Sequence, residues 1–309
     1  MSKKNLAKIG IALDDAVKEA CEKNITISFS GGIDSTLVAF LAKKYTKVEL
    51  IAVGVRSSHD LEAAKSAAKL INLDLTIKEM SDADILSEAS ILQKKLKLTQ
   101  FEVGFMLPFW MVAKNATNST LMCGQGADEV FGGYARFRET KNHSNLDKET
   151  KNLLEIIPKR EKEITKIFGL ELSCPYLSKE VIKASKLYSQ EEHIGLKGKE
   201  KLRESAIKLG LPSEIANRKK KAAQYGSGIQ KVLKKSIKCE INFEIPFESN
   251  KIATSIKKAT DPENEGWVES IVEDNIMKAK VKATNMGSLR EAAEDFMACI
   301  SVAKNILKK

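Results

Sequence analysis

The chain has 309 residues, 43% hydrophobic and 30% charged, enough to bury a sizeable core in two domains or in one with a helical extension. Its opening, MSKKNLAKIG, has no secretory apolar core, no apolar run nears membrane-spanning length, and five scattered cysteines form no C-x-x-C pair; a reduced, cytoplasmic, membrane-free setting is expected. The net charge of +10 lies beyond residue 135, because residues 1–135 hold 16 Lys+Arg against 16 Asp+Glu. Only seven of the 51 basic residues are arginine, the preferred fork for phosphates and base edges, so a solubilising lysine surface is expected rather than a nucleic-acid partner.

The first element is an amphipathic helix with Leu6, Ile9, Leu13 and Val17 on one face. Residues 25–29 alternate as a strand, and TLVAFLAKKY then recurs at helical spacing. VELIAVGV (48–55) is a near-continuous apolar run, as a strand buried on both faces requires. HDLEAAKSAAKLI reads as a helix, residues 73–79 as a third strand and 82–97 as a helix. A segment over 101–115, broken at Pro108, leads to a fourth buried strand at 119–124. This alternation predicts an α/β fold built on a doubly wound parallel sheet, with residues 1–140 as the first domain. Residues 141–309 read as a mainly helical region, in which DNIMKAKVKA and SLREAAEDFMACISVAKNILKK are helices.

The candidate chemistry sits after two of the strands. Strand 1 runs into SGGIDS (30–35), where Gly31 and Gly32 allow φ > 0 and Ser30 and Ser35 offer hydroxyls at the start of a helix. A strand, a glycine turn and a helix N-terminus make an anion site, most often for phosphate. The loop lacks the Gly-Lys-Ser/Thr ending of a Walker loop and the spacing of a dinucleotide fingerprint. The bland alternative makes Asp34 an ordinary capping residue. Strand 4 ends in CGQGADEVFGGY, which sets a second aspartate, Asp128, behind glycines. If strands 1 and 4 flank the point where strand order reverses, Asp34 and Asp128 face one another and repel unless a cation lies between them; Mg²⁺ suits two carboxylates beside phosphates. On that reading, removing either carboxylate relieves repulsion in the ligand-free protein. The RKKK run at 218–221 reads either as a solvated charge run or as part of the site.

SGGIDS resembles the pyrophosphate loop (PP-loop) of the ATP pyrophosphatases, which cut ATP between its α and β phosphates. GQGADEVFGGY resembles the glycine-rich block of the asparagine synthetase C-terminal, or synthetase, domain. CPYLS resembles that family's Pro-Phe-Leu-Asp segment, and GKEKLRESAIKLGLPSEIANRKKK resembles its Lys-x-x-Leu-Arg … Leu-Pro … Arg-x-Lys pattern. The blocks keep the family's order across residues 25–228. The resemblance implies an amide-forming ligase that adenylates a carboxylate, aspartate foremost, and releases AMP and pyrophosphate. It implies that Ser30, Gly31, Gly32, Asp34 and Ser35 hold the β and γ phosphates, Asp34 and Asp128 hold Mg²⁺, and backbone near Ser28, Val53 and Gly124 grips adenine. Lys199, Arg218 and Lys220 complete the expected catalytic set, Lys220 neutralising charge at the α-phosphate.

Three departures qualify this. The chain has Ser2 where full-length relatives carry a catalytic cysteine, and no room before strand 1 for a glutaminase domain, so ammonia, another amine or a separate amidotransferase subunit is expected as nitrogen source. Gln125 replaces a glutamate, which should spare adenylation but slow proton removal from the amine. Ser178 replaces an aspartate and puts the acceptor pocket in question. The rival readings are a PP-loop tRNA-modifying enzyme and a non-catalytic ATP-binding paralogue; a homodimer is a further expectation.

Overall fold

The computed structural model describes residues 2–21, 23–134, 158–218, 226–235, 239–264, 266–283 and 286–307. Two compact units emerge, residues 1–79 with 108–222 and residues 80–107 with 223–309. This division differs from the expected boundary at residue 140, because residues beyond it finish the first unit. Val181, Leu202, Ala206 and Ile215 share one hydrophobic core with the strand residues Ile25 and Ile27.

Unit 1 begins with α1 (Ser2–Glu19), whose Leu6, Ile9, Leu13 and Val17 are all buried, each stabilising the fold by about 1.5–3 kcal/mol. The sheet comprises β1 (Ile25–Ser28), β2 (Val48–Gly54), β3 (Leu75–Glu79), β4 (Thr120–Met122) and β5 (Glu171–Ser173), all parallel, in the order β3-β2-β1-β4-β5. Helices α2 (Ile33–Ala42) and α3 (His59–Leu70) make the crossovers from β1 to β2 and from β2 to β3. The strands step outward in one direction from β1 to β3, and β4 then pairs on the other side of β1. The reversal of strand order therefore lies between β1 and β4, as the sequence predicts.

β1 is more completely buried than its alternation suggests. Thr26, on the polar side of the pattern, has no exposed surface, and its hydroxyl donates to Glu49. Burial on both faces is the rule for a central parallel strand, and the hydroxyl is accommodated because it finds an acceptor.

Unit 2 contains α4 (Asp82–Leu96), within the segment contributed by residues 80–107, and the C-terminal part of the chain. The next helix, α5 (Gln100–Asn115), runs through Pro108 as one element, so the expected break is absent. The larger correction concerns residues 239–283. They form an antiparallel sheet, β6-β8-β7, from β6 (Cys239–Pro246), β7 (Val268–Glu273) and β8 (Ile276–Ala283). The stretch read as a helix, DNIMKAKVKA, is mostly strand β8. Its Met277, Ala279, Val281 and Ala283 are buried while Lys278, Lys280 and Lys282 face outward, a period of two that no helix can satisfy. The inner face packs on α13 (Asn250–Asn264) and α14 (Met286–Leu307) through Ala253, Ile256, Phe296 and Ile300; between α5 and β6 come α6 (Ala127–Phe131), α7 (158–167), α8 (Lys179–Ser185), α9 (Gln190–Ile194), α10 (Glu200–Lys208), α11 (Ser213–Ala216) and α12 (Ile229–Lys235). On the outer face each lysine meets a glutamate: Lys278 with Glu273 at 2.6 Å, Lys280 with Glu240 at 3.5 Å and Lys282 with Glu269 at 2.5 Å. The lysine row is thus locally neutralised. Among the described residues no helix is long and apolar enough to cross a membrane.

Candidate active site

The PP-loop follows β1 directly. Gly31 takes φ +72°, and a Cβ there would lie 2.3 Å from the carbonyl carbon of Ala63, so only glycine fits. Gly32 has φ −71° and serves as N-cap of α2 without a side-chain cap. The two serine hydroxyls close the loop on itself. Ser35 Oγ accepts from the Ser30 amide at 3.2 Å, lies 3.2 Å from Ser30 Oγ, and donates to the Gly32 carbonyl at 3.3 Å. This fixes the loop shape before any ligand arrives.

Asp34, in the first turn of α2, caps nothing. Its Oδ2 accepts a 2.6 Å hydrogen bond from Lys199 Nζ, and its backbone carbonyl accepts one at 3.1 Å from the hydroxyl of fully buried Tyr176. Asp128, in the first turn of α6 (Ala127–Phe131), approaches the same ammonium at 2.7 Å through Oδ1. The two glycine loops therefore do converge, and the cation between the carboxylates is Lys199, only 2% exposed. Burial by itself would lower the lysine pKa, but Asp128 and Asp34 outweigh it and raise it. The expectation that removing a carboxylate relieves repulsion is thereby reversed, because the pair is already neutralised and its loss leaves a buried ammonium short of a partner.

The remaining members of the set fall as follows. Ser28, Val53 and Gly124 sit at or just past the carboxyl ends of β1, β2 and β4, three neighbouring strands. Arg218 does reach the PP-loop, but through carbonyls: its Nη1 donates to Gly31 O at 3.1 Å and Ala63 O at 3.0 Å, and its Nη2 to Ser66 Oγ at 3.1 Å. Arg203 likewise donates to backbone, to Gly198 O at 2.8 Å, Arg218 O at 3.2 Å, and Ala216 O. Arg218 thus braces the PP-loop against α3, and Arg203 braces the turn that carries Lys199. Gln125 is half-buried in the second glycine loop. Lys220 and its neighbours Lys219 and Lys221 lie outside the described residues. Ser178, in the aspartate's place, is the N-cap of α8 (Lys179–Ser185), its Oγ accepting from the Val181 amide at 3.2 Å (α7 covers residues 158–167).

Several groups beside the site escaped the motif reading. Glu129 is buried and accepts a short hydrogen bond from the Tyr134 hydroxyl; burial and the adjacent Asp128 push its carboxyl up. Glu161 on α7 is also buried, its Oε2 has no hydrogen-bond partner, and burial pushes its carboxyl up to about 7. Cys123 and Cys174, at the carboxyl ends of neighbouring β4 and β5, bring their Sγ atoms to 3.5 Å, and this contact together with burial raises the Cys174 thiol. No spacing in the sequence signals the cysteine pair, because its members follow separate strands 51 residues apart.

The geometry also tests for Mg²⁺. Asp34 Oδ1 is buried without a hydrogen-bond partner, while Oδ2 is committed to Lys199. A carboxylate oxygen left without a donor beside a pyrophosphate loop fits a hard divalent cation.

A parallel α/β sheet whose two glycine loops meet where strand order reverses has the doubly wound architecture of the PP-loop type. Residues 8–160 match the asparagine synthase family. Residues 240–308 match a second family, described as transcription factor Pcc1, and coincide with the β6–α14 region. A putative glutamine-hydrolysing asparagine synthetase from Methanocaldococcus jannaschii is 32% identical over 275 residues, covering 73% of this chain and 51% of its own. Asparagine synthetase B of Escherichia coli is 26% identical over 252 residues, covering 71% and 44%. The chain thus spans about half the length of the curated relatives it matches. The NH3-dependent NAD synthetase of Campylobacter jejuni overlays 62% of this chain and 94% of its own at 19% identity, with a TM-score of 0.31, too distant to bear on the assignment.

Proposed function

We propose that unit 1 is an ATP-dependent, amide-forming ligase that adenylates a carboxylate, aspartate foremost, and releases AMP and pyrophosphate. The observation that carries this reading is the convergence of the PP-loop and the second glycine loop on the Asp34–Lys199–Asp128 cluster. The loop's amides and the Ser30 and Ser35 hydroxyls would hold the β and γ phosphates, and the backbone near Ser28, Val53 and Gly124 the adenine. Asp34, through Oδ1, and Asp128 would hold Mg²⁺, which supplies neutralisation of the charge gathering on the leaving pyrophosphate. Lys220, whose position rests on the sequence motif, would offset charge where the carboxylate oxygen attacks the α-phosphorus.

Gln125 bears on the second half of the reaction. Attack of an amine on the acyl-adenylate releases a proton, which an amide side chain cannot take up. Ammonia, another amine, or nitrogen delivered by a separate subunit would serve as donor. Support for a nucleic-acid substrate is weaker, since the one lysine-rich strand face among the described residues is matched by glutamates. The test is a screen of carboxylic acids and amines for AMP and pyrophosphate release, read by mass spectrometry. Acid-dependent AMP formation is expected; ADP and phosphate as products contradict the proposal.

A further inference from the structure

The place where a bridging metal ion was expected is filled by this chain's own ammonium. Lys199 Nζ stands 2.6 Å from Asp34 Oδ2 and 2.7 Å from Asp128 Oδ1. The arrangement is built rather than incidental. Lys199 starts α10 (Glu200–Lys208) in the left-handed region at φ +59°, an uncommon conformation for lysine, and Arg203 ties the turn before it by bonding Gly198 O at 2.8 Å. A Cβ on Gly133 would lie 1.9 Å from Asp128 Oδ1 and 2.2 Å from Lys199 Cε, and a Cβ on Gly124 would lie 2.8 Å from Asp34 Cβ. Both glycine positions are thus cut to the shape of this ion cluster.

We propose that Lys199 is a positioning residue that serves as the resident cation of the Asp34–Asp128 pair. It holds the two loops together before any ligand arrives and occupies the bridging position a divalent ion would otherwise take. One metal site is left, at Asp34 Oδ1 with support from Asp128, and it is completed only when nucleotide phosphates supply further oxygens. Two carboxylates already engaged by an ammonium cannot by themselves hold a divalent cation that demands several oxygens, so the ligand-free protein should have no appreciable affinity for magnesium at this place. The inference rests on the nucleotide reading for its metal site, whereas the bridge itself stands without it.

The test uses the whole chain and Mn²⁺ as a paramagnetic stand-in for magnesium. Titration of wild type followed by electron paramagnetic resonance should show no bound Mn²⁺ without nucleotide and one Mn²⁺ per chain with an α,β-non-hydrolysable ATP analogue. In thermal unfolding without nucleotide, millimolar Mg²⁺ should leave the wild-type Tm unchanged relative to NaCl at equal ionic strength. Lys199→Met should lower Tm by roughly 10 °C, since it strands two half-buried carboxylates, and Mg²⁺ should restore part of that loss. Sub-millimolar Mn²⁺ binding by nucleotide-free wild type, or two Mn²⁺ per chain with the analogue, would overturn the proposal. So would a Lys199→Met protein as stable as wild type. If that variant does not fold, the wild-type titration decides alone. Failure of the analogue to bind would strike the nucleotide reading and the metal site, while the nucleotide-free measurements still decide the bridge.

Discussion

At the scale of single residues, Arg218 acts on the PP-loop through backbone carbonyls. The guanidinium fixes the PP-loop through Gly31 O and Ala63 O, a planar fork whose geometry lysine cannot reproduce. Arg218→Lys keeps the charge but should weaken ATP binding about tenfold, the equivalent of one or two lost hydrogen bonds at ~1 kcal/mol each; calorimetric titration measures it, and wild-type affinity would mean that charge alone matters. Glu161 yields a pH prediction. Its folded-state pKa of about 7 lies above the ordinary 4.5, so the folded protein binds the extra proton and is destabilised as pH rises from about 4.5 through 7. Glu161→Gln should flatten that slope and add stability above pH 7, by up to a few kcal/mol, in denaturant unfolding across pH. An unchanged slope would show that Glu161 is ionised in the folded state. Gln125 is argued from chemistry: Gln125→Glu should accelerate amide formation from ammonia, by up to the ~10²–10⁴-fold that a general base contributes, and leave ATP affinity little changed. A loss of amide formation would instead make Gln125 a hydrogen-bonding group chosen for a different acceptor.

At the scale of elements, Ser178 loses the significance its motif position suggested. Serine and aspartate are both strong N-caps, and Ser178 caps α8 as aspartate would. Ser178→Ala should cost about 1 kcal/mol of stability, whereas Ser178→Asp should be neutral within a few tenths, in urea unfolding. If Ser178→Asp instead changes which acid is used, the position reaches the acceptor after all. Elements also show what the sequence disclosed and what it withheld. The β-α alternation of residues 25–122 was legible because buried parallel strands read as apolar runs between glycine turns. In the sheet of residues 239–283 the period of two is present, since Met277, Ala279, Val281 and Ala283 alternate with three lysines, but lysine and alanine also favour helix and the stretch lies in a largely helical region, which masks it. The loop aspartates could be found from spacing; their lysine could not be placed, because 165 residues separate Lys199 from Asp34 and only the folded segment from β5 to α10 brings them together.

At the scale of the molecule, the two units have separate hydrophobic cores, the second family match (240–308) falls wholly in the second unit, and the candidate chemistry is confined to the first. The central claim is therefore a claim about unit 1: that a carboxylate oxygen attacks the α-phosphorus of ATP and leaves with AMP once an amine displaces it. The most direct measurement supplies the whole chain with ATP, Mg²⁺, ammonia and an acid labelled with oxygen-18 in the reacting carboxylate, aspartate first, and follows the label by mass spectrometry. The account predicts AMP carrying a single oxygen-18 from the acid, unlabelled pyrophosphate and one amide per AMP. Unlabelled AMP, or ADP with labelled phosphate, would contradict it.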